Sequence, residues 1–424
     1  MSILIKNGQW LGKDGEFHDG DILIEGNKIS AIDAVCSTPL TERVIDAAGK
    51  YILPGLIDTH VHFREPGQEY KEGILNASKA ALKGGATSVL DMPNNNPPIT
   101  NAQILNDKKR LFAEKSLVNW GLQFHTKSGN NEFPQGIAAA KLYMAKSSAL
   151  PAVTEIEDIA AIFKEFPLIT IHAEDETAFN DSGEKYIHHV NRPREAITSA
   201  LSKIENALKQ IPKENHPKVV ICHIATIDEV KRIERMKNDG YQVYAETCPH
   251  YLYLTQDDYL REGARYKVNP PIRTEDDRET LRDALKNGII DFIGTDHAPH
   301  TQQEKESDNP PSGIAGIEWL APLMLNFVDE GLIDWKRLWE LTVANAAGCF
   351  GIHSRSVIEI DNYADLIIVE NGQRDDKVIT KAGFNPYKEK NLNWRVVTAI
   401  VNGAMVYNNG IFLEKNKGRD LFPN

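Results

Sequence analysis

The feature that most limits the fold is a unit repeated through the middle of the chain: a short apolar run, then an amphipathic stretch of helical length. The runs are LIDTHVHF (56–63), TSVLDM (87–92), NWGLQFHT (119–126), AAKLYM (139–144), LITIHAE (168–174), KVVICHI (218–224), QVYAETCPH (242–250) and IDFIGTDHAPH (290–300). Helices are predicted between them, in EGILNASKAALKGG, TEIEDIAAIFKEF, TIDEVKRIERMKNDG and EDDRETLRDALKNG. Thr154 and Thr226 read as N-terminal caps, and Gly240 and Gly288 as C-terminal stops. Strand-helix alternation implies a parallel sheet. Eight such strands over about 250 residues is the size of a closed (β/α)₈ barrel. The rival is an open doubly wound sheet, and it is weakened because no G-x-G-x-x-G follows the first strand.

The ends of the chain have another rhythm. LIKNGQW and GDILIEGNKISAID near the start, and ADLIIVE and WRVVTAIVNGAMVY near the end, alternate apolar and polar residues around turns. We expect both termini to build one small β-sandwich, residues 1–50 with 356–424, beside a barrel of residues 51–355. The chain has 424 residues, enough for a large domain and a lesser one. Its net charge of −12 argues against nucleic acid as the main partner, though a local pocket can still be positive. Cys36, Cys222, Cys248 and Cys349 form no C-x-x-C pair and read as reduced thiols of a cytoplasmic protein. The start lacks a signal pattern, and no apolar run reaches the roughly 18 residues of a membrane span, so no membrane partner is expected.

Polar residues cluster at the C-terminal ends of the predicted strands, where barrel enzymes place their sites. The first strand ends in His60 and His62, which alternate onto one face and could share a metal, or could be two surface histidines. Lys141 lies inside an apolar strand. Either it reaches the rim or a salt bridge, or its neutral amine has reacted with carbon dioxide to give an anionic carbamate. His172 and His223 end two further strands, and each alone reads more readily as a core histidine. Cys222 should face away from its neighbour His223 and pack. Asp296 follows the apolar run IIDFIGT, where a carboxylate needs a partner or a metal. A barrel closes these strand ends into a ring, and imidazole with carboxylate suits zinc.

The stretches LPGLIDTHVHFREPG, MPNNNPP, KLYMA, IHAED, CHIAT, KVNPPIR and GTDHAPHTQQEK resemble the signatures of the dihydroorotases of the amidohydrolase superfamily, in order from about residue 3 to 410. The Lys141 strand is similar to the lysine-bearing type, which includes part of the animal multifunctional pyrimidine enzyme. The resemblance implies two zinc ions per chain. His60, His62 and Asp296 would hold one, His172 and His223 the other, and a carbamylated Lys141 would bridge them. It implies that Asp296 is the catalytic acid–base group, and that Arg64, Asn94, Asn269 and His300 contact the substrate. Arg64 should share the strand face of His62 and bind a carboxylate. Ser147 and Ser148 would belong to a mobile loop, and SGIAGIE would add backbone contacts near Ala315 and Gly316. His125, His250 and His297 match no ligand and read as lining or packing.

The implied reaction is the reversible hydrolysis of the cyclic amide of L-dihydroorotate to N-carbamoyl-L-aspartate, a step of pyrimidine biosynthesis. The alternatives are another cyclic amidase, an allantoinase or hydantoinase, and a scaffold homologue without activity. Retention of all six metal-ligand positions speaks against the scaffold. The residues leave the oligomeric state open, a homo-oligomer included.

Overall fold

The computed structural model describes residues 2–33, 41–127, 129, 134–147, 150–180, 188–372 and 377–423; Cys36 and Ser148 lie outside these. Eight parallel strands form one sheet: β1 (Leu56–Val61), β2 (Ala86–Asp91), β3 (Asn119–His125), β4 (Ala139–Tyr143), β5 (Leu168–His172), β6 (Lys218–Ile221), β7 (Val243–Thr247) and β8 (Phe292–Ile293). Their order in the sheet follows the chain. Every residue of β1 to β4 is buried, as expected of strands covered on both faces.

Helices of the predicted kind lie between the strands. Thr226 caps Ile227–Asn238 in a capping box with Glu229, and Gly240 follows at φ 86°. The Thr154 expectation fails. The helix Ile156–Glu165 has Glu155 at its N-cap, and the Thr154 hydroxyl donates to the Glu155 carboxylate instead.

β8 has two residues, too few to build a ladder onto β1. A side chain and a single parallel bridge between Val61 and His297 close the barrel in its place. Asp58, fully buried on β1, accepts from Thr295 N (2.9 Å), Thr295 Oγ1 (2.5 Å) and His60 N (3.2 Å). One level further, His62 N donates to His297 O at 2.9 Å. Burial pushes the Asp58 carboxyl up to about 7, against the pull of the Thr295 hydrogen bonds.

The termini form a β-sandwich, and it takes in Tyr51–Pro54, which the expected boundary at residue 51 gave to the barrel: this strand pairs with the C-terminal segment. One sheet runs Lys28–Asp33, Asp21–Glu25, Ser2–Lys6, Arg43–Asp46. The other interleaves both ends of the chain: Tyr51–Pro54 pairs with Leu366–Asn371, which pairs with Trp394–Val401. Ile3, Ile5, Ile22, Ile24, Ile52, Leu366, Ile368 and Ile400 fill the space between them. A buried polar knot ties sandwich to barrel: Asp365 accepts from Asn119 of β3 (2.9 Å) and pairs with Arg355.

Asp58→Ala removes three hydrogen bonds at the seam of the barrel. Net loss of about 1 kcal/mol each, more for those made to a charge, predicts destabilisation of about 3 kcal/mol. Urea unfolding measures this; a loss below about 0.5 kcal/mol would show that the seam closes without Asp58.

Candidate active site

A cavity of about 330 Å³ opens at the C-terminal ends of the strands. His60, His62, Arg64, Asn94, Lys141, His172, His223, Asn269, Asp296 and His300 all line it. A wider cleft of about 550 Å³ in the small domain contains no histidine and none of these residues.

The hydrogen bonds behind the histidines determine what they present inward. His60 Nδ1 lies 2.7 Å from Glu246 Oε1, and Glu246 Oε2 also accepts from Thr59 Oγ1 at 2.6 Å. Gly294 leaves room for this pair, since a Cβ there would stand 2.8 Å from both Glu246 Cδ and His60 Cβ. His62 Nδ1 lies 2.7 Å from Asn94 Oδ1, and His172 Nε2 lies 3.0 Å from Glu174 Oε2. Arg192 pairs with Glu174 and fixes that carboxylate. At His60 and His62 the outer partner is an acceptor oxygen, so it takes the N–H of one ring nitrogen and leaves the other to face inward. His172 Nε2 has the Glu174 acceptor and also the Arg192 Nη2 donor at 3.2 Å, and His223 Nδ1 has no hydrogen-bond partner among the described residues.

The inward ring nitrogens converge. Asp296 Oδ1 lies 3.0 Å from His62 Nε2 and 3.5 Å from His60 Nε2. His172 Nδ1 lies 3.0 Å from His223 Nε2, and the His60 and His223 rings are 5.3 Å apart. His60, His62 and Asp296 offer ligand atoms within 4.8 Å of one another, and so do His60, Cys222 and Glu246. Burial and Lys141 pull the His60 basicity down, but Glu246 and Asp296 outweigh them and raise it to about 10. Without a cation His60 Nε2 therefore holds a proton toward Asp296, and a metal would take that proton's place. Burial disfavours the Asp296 charge, yet the imidazoles of His60 and His62 hold its carboxyl well below the usual range. Buried acceptors pressed together attract positive charge, and this donor set suits a zinc ion.

Two expectations fail for one reason. Cys222 does not face away: its Sγ accepts from Lys141 Nζ at 3.1 Å. Strand alternation ends early, because β6 stops at Ile221 and His223 is left-handed at φ 42°. Arg64 does not share a strand face with His62. β1 stops at Val61, and Arg64 enters the cavity from a left-handed turn at φ 64°. Asp296, at φ 44°, is a third non-glycine site residue held in this costly region.

Of the loop residues, Ser147 lines the cavity and receives a hydrogen bond from Asn94 Nδ2 (3.2 Å). The SGIAGIE loop contributes at Ser312 and Gly313, not at Ala315 and Gly316. His125, His250 and His297 do not line it: His297 packs edge-on to Phe63 and His250 against Tyr251. Sequence reasoning missed Glu246, Glu174, Arg192 and Lys71. Glu246 carried a readable signal, a carboxylate inside a buried strand, as Lys141 was a cation inside one.

The amidohydrolase family model matches residues 51–406, and the chain belongs to that family. Its fold and converging donors are those of a metal-assisted hydrolase. The chain is 34% identical over 398 residues to a dihydroorotase of Methanosarcina acetivorans, covering 87% of this chain and 84% of that one. It is 33% identical over 424 residues to a dihydroorotase of Pyrococcus horikoshii, covering 99% and 95%. Among solved structures it is similar to an L-hydantoinase (dihydropyrimidinase) of Arthrobacter aurescens, with a TM-score of 0.88 and 27% identity over 97% of each chain. A dihydropyrimidinase of Brevibacillus agri matches with a TM-score of 0.87 and 25% identity, covering 99% and 98%. Among the described residues no helix is long and apolar enough to cross a membrane.

Glu246→Gln can no longer hold His60 by a charged acceptor. Loss of such an outer partner costs about 10- to 100-fold in metal affinity. Competition against a chromophoric chelator should show that loss with the circular dichroism unchanged; parent-like affinity would show that Glu246 only packs.

Proposed function

We propose that this chain is a zinc-dependent cyclic-amide hydrolase acting on L-dihydroorotate, and in reverse on N-carbamoyl-L-aspartate. The observation that carries the hydrolase reading is the gathering of four buried imidazoles in one cavity, two of them against the Asp296 carboxylate and two against each other. His60, His62 and Asp296 would hold one zinc ion, and His172 and His223 a second. Lys141 is 1% exposed, its one described hydrogen-bond partner is a thiol, and no described carboxylate pairs with it. Reaction of its amine with carbon dioxide, with release of a proton, would exchange a cation among imidazoles for an anion that joins both metals.

When bound, such ions polarise a carbonyl and acidify water. Asp296 accepts a proton from the attacking water and passes it to the departing ring nitrogen. The water oxygen bonds to the ring carbonyl carbon, the carbon–nitrogen bond breaks, and the nitrogen leaves protonated. The product gains a carboxyl group that ionises at neutral pH. Ring closure therefore takes up a proton and is favoured by low pH.

Arg64 supports dihydroorotate as the substrate. Arg64 is 6% exposed; its guanidinium donates from Nε to Pro299 O at 3.3 Å and makes no ion pair among the described residues, although Asp296, Asp91 and Glu304 act on it at longer range. A buried guanidinium without an ion-pair partner suits a substrate carboxylate. Asn269 is oriented by His188 Nε2, 2.8 Å from its Oδ1, which leaves its amide N–H groups as donors at the cavity wall. Asn94 is tied to His62 and Ser147, so we assign it first to holding His62 and only then to the substrate. The similarity to solved hydantoinases favours a second reading, an uncharged cyclic amide.

Arg64→Met separates the two readings. Removing one partner of a desolvated charged pair costs about 2–5 kcal/mol. The variant should keep its zinc and lose dihydroorotate kcat/KM by at least about 100-fold, while an uncharged hydantoin is far less affected. Equal losses on both substrates would favour the second reading.

A further inference from the structure

Two cations compete for one imidazole on the cavity wall. His300 Nδ1 lies 3.3 Å from Lys71 Nζ, and His300 Nε2 lies 3.1 Å from Arg64 Nη2. Ammonium and guanidinium groups donate hydrogen bonds and never accept them. A neutral imidazole has one lone pair, so it satisfies one of the two and not both. Burial among Arg64, Lys71 and Lys305 keeps the ring neutral, holding its basicity far below the ordinary value.

The one ring proton also has two places to go. Ser312 O lies 3.1 Å from Nε2, and Glu304 Oε2 lies 3.5 Å from Nδ1. With the proton on Nε2, His300 donates to Ser312 and accepts from Lys71, and Arg64 keeps an unmatched N–H. With the proton on Nδ1, His300 donates to Glu304 and accepts from Arg64, and the Ser312 carbonyl loses its donor. The geometry favours the first arrangement, since 3.5 Å is long for a hydrogen bond. Glu304 is also engaged elsewhere, with Lys71 (3.0 Å), Tyr70 OH (3.1 Å) and Thr301 N (3.1 Å). Gly313 lets the Ser312 carbonyl approach, because a Cβ there would stand 2.3 Å from Ala298 O and 3.1 Å from His300 Cδ2.

We propose that Lys71 determines specificity by acting through His300: it holds the ring proton on Nε2 and so keeps an Arg64 N–H free for the anionic group of the substrate. Lys71 is a positioning residue in this role, carried on the turn between β1 and the helix Ile74–Lys83. The proposal rests on the reading that the cavity takes a carboxylate. It adds that Lys71 decides whether the Arg64 Nη2 N–H nearest His300 joins the other guanidinium N–H groups in binding the anion or is spent on His300.

Nitrogen-15 spectra of the full zinc-loaded chain, labelled in histidine, distinguish a protonated ring nitrogen from one with a lone pair. His300→Gln identifies the His300 signals. The parent should carry the proton on Nε2, Lys71→Met should move it to Nδ1, and Lys71→Arg, which keeps a donor-only cation, should leave it on Nε2. For dihydroorotate, Lys71→Met should raise KM about tenfold or more with kcat changed less than about threefold, and Lys71→Arg should restore most of the loss. A proton on Nδ1 in the parent, or on Nε2 in Lys71→Met, overturns the proposal. Where Lys71→Met does not fold, Lys71→Gln gives the same reading: a ring proton still on Nε2 without the ammonium overturns the proposal. A parent that fails to hydrolyse dihydroorotate removes the substrate reading alone, because the ring proton is read without substrate.

Discussion

The closure of the barrel by Asp58 is the contact on which the site depends. Seven strand pairs form parallel ladders, but the last strand is too short to pair with the first. Asp58 bridges that gap by gathering the amide and hydroxyl of Thr295. The next residue is Asp296, and two residues beyond Asp58 is His60. This buried carboxylate and the His62–His297 backbone hydrogen bond together join the chain segments that supply Asp296, His60 and His62. Without this seam the three would stand on opposite edges of an open sheet.

Once closed, the site is ordered from outside inward. Glu246 and Asn94 each take one ring proton and turn the other ring nitrogen toward the centre. Buried acceptors that face one another repel unless a cation lies among them. The cavity wall opposite has the reverse imbalance. Arg64 and Lys71 supply more donors than His300 can accept, which suits an anion. The same cavity therefore sets an acceptor-rich cluster that suits a metal beside a donor-rich wall that suits an anion. Backbone strain accompanies this arrangement: Arg64, His223 and Asp296 all take left-handed conformations at strand ends.

Much of this was legible in the sequence because period-two and period-3.6 patterns report burial directly. The eight apolar runs became the eight strands, and the ten expected site residues reach one cavity. Legibility stopped where the backbone left regular structure. Face alternation predicts Cys222 turned away from His223, and it holds only while φ stays in the strand region; His223 breaks it. Arg64 reached the expected cavity by a turn the pattern does not encode. Thr154 looked like a cap, but the helix began one residue later than its spacing suggests. Lys71 lies in a loop without periodicity, so only the folded chain reveals its contact with His300. Glu246 was readable and overlooked, as a charged residue in a buried strand whose partner, His60, is far away in sequence.

If the converging side chains hold metal, Lys141 stands among them as an anion. Crystals grown with zinc and bicarbonate, with data collected on both sides of the zinc absorption edge, test it directly. Two anomalous peaks are expected, one among His60, His62 and Asp296 and one between His172 and His223, with added density for a carbamate on Lys141. A single peak or none, with a bare Lys141 amine still bonded to Cys222, would contradict it.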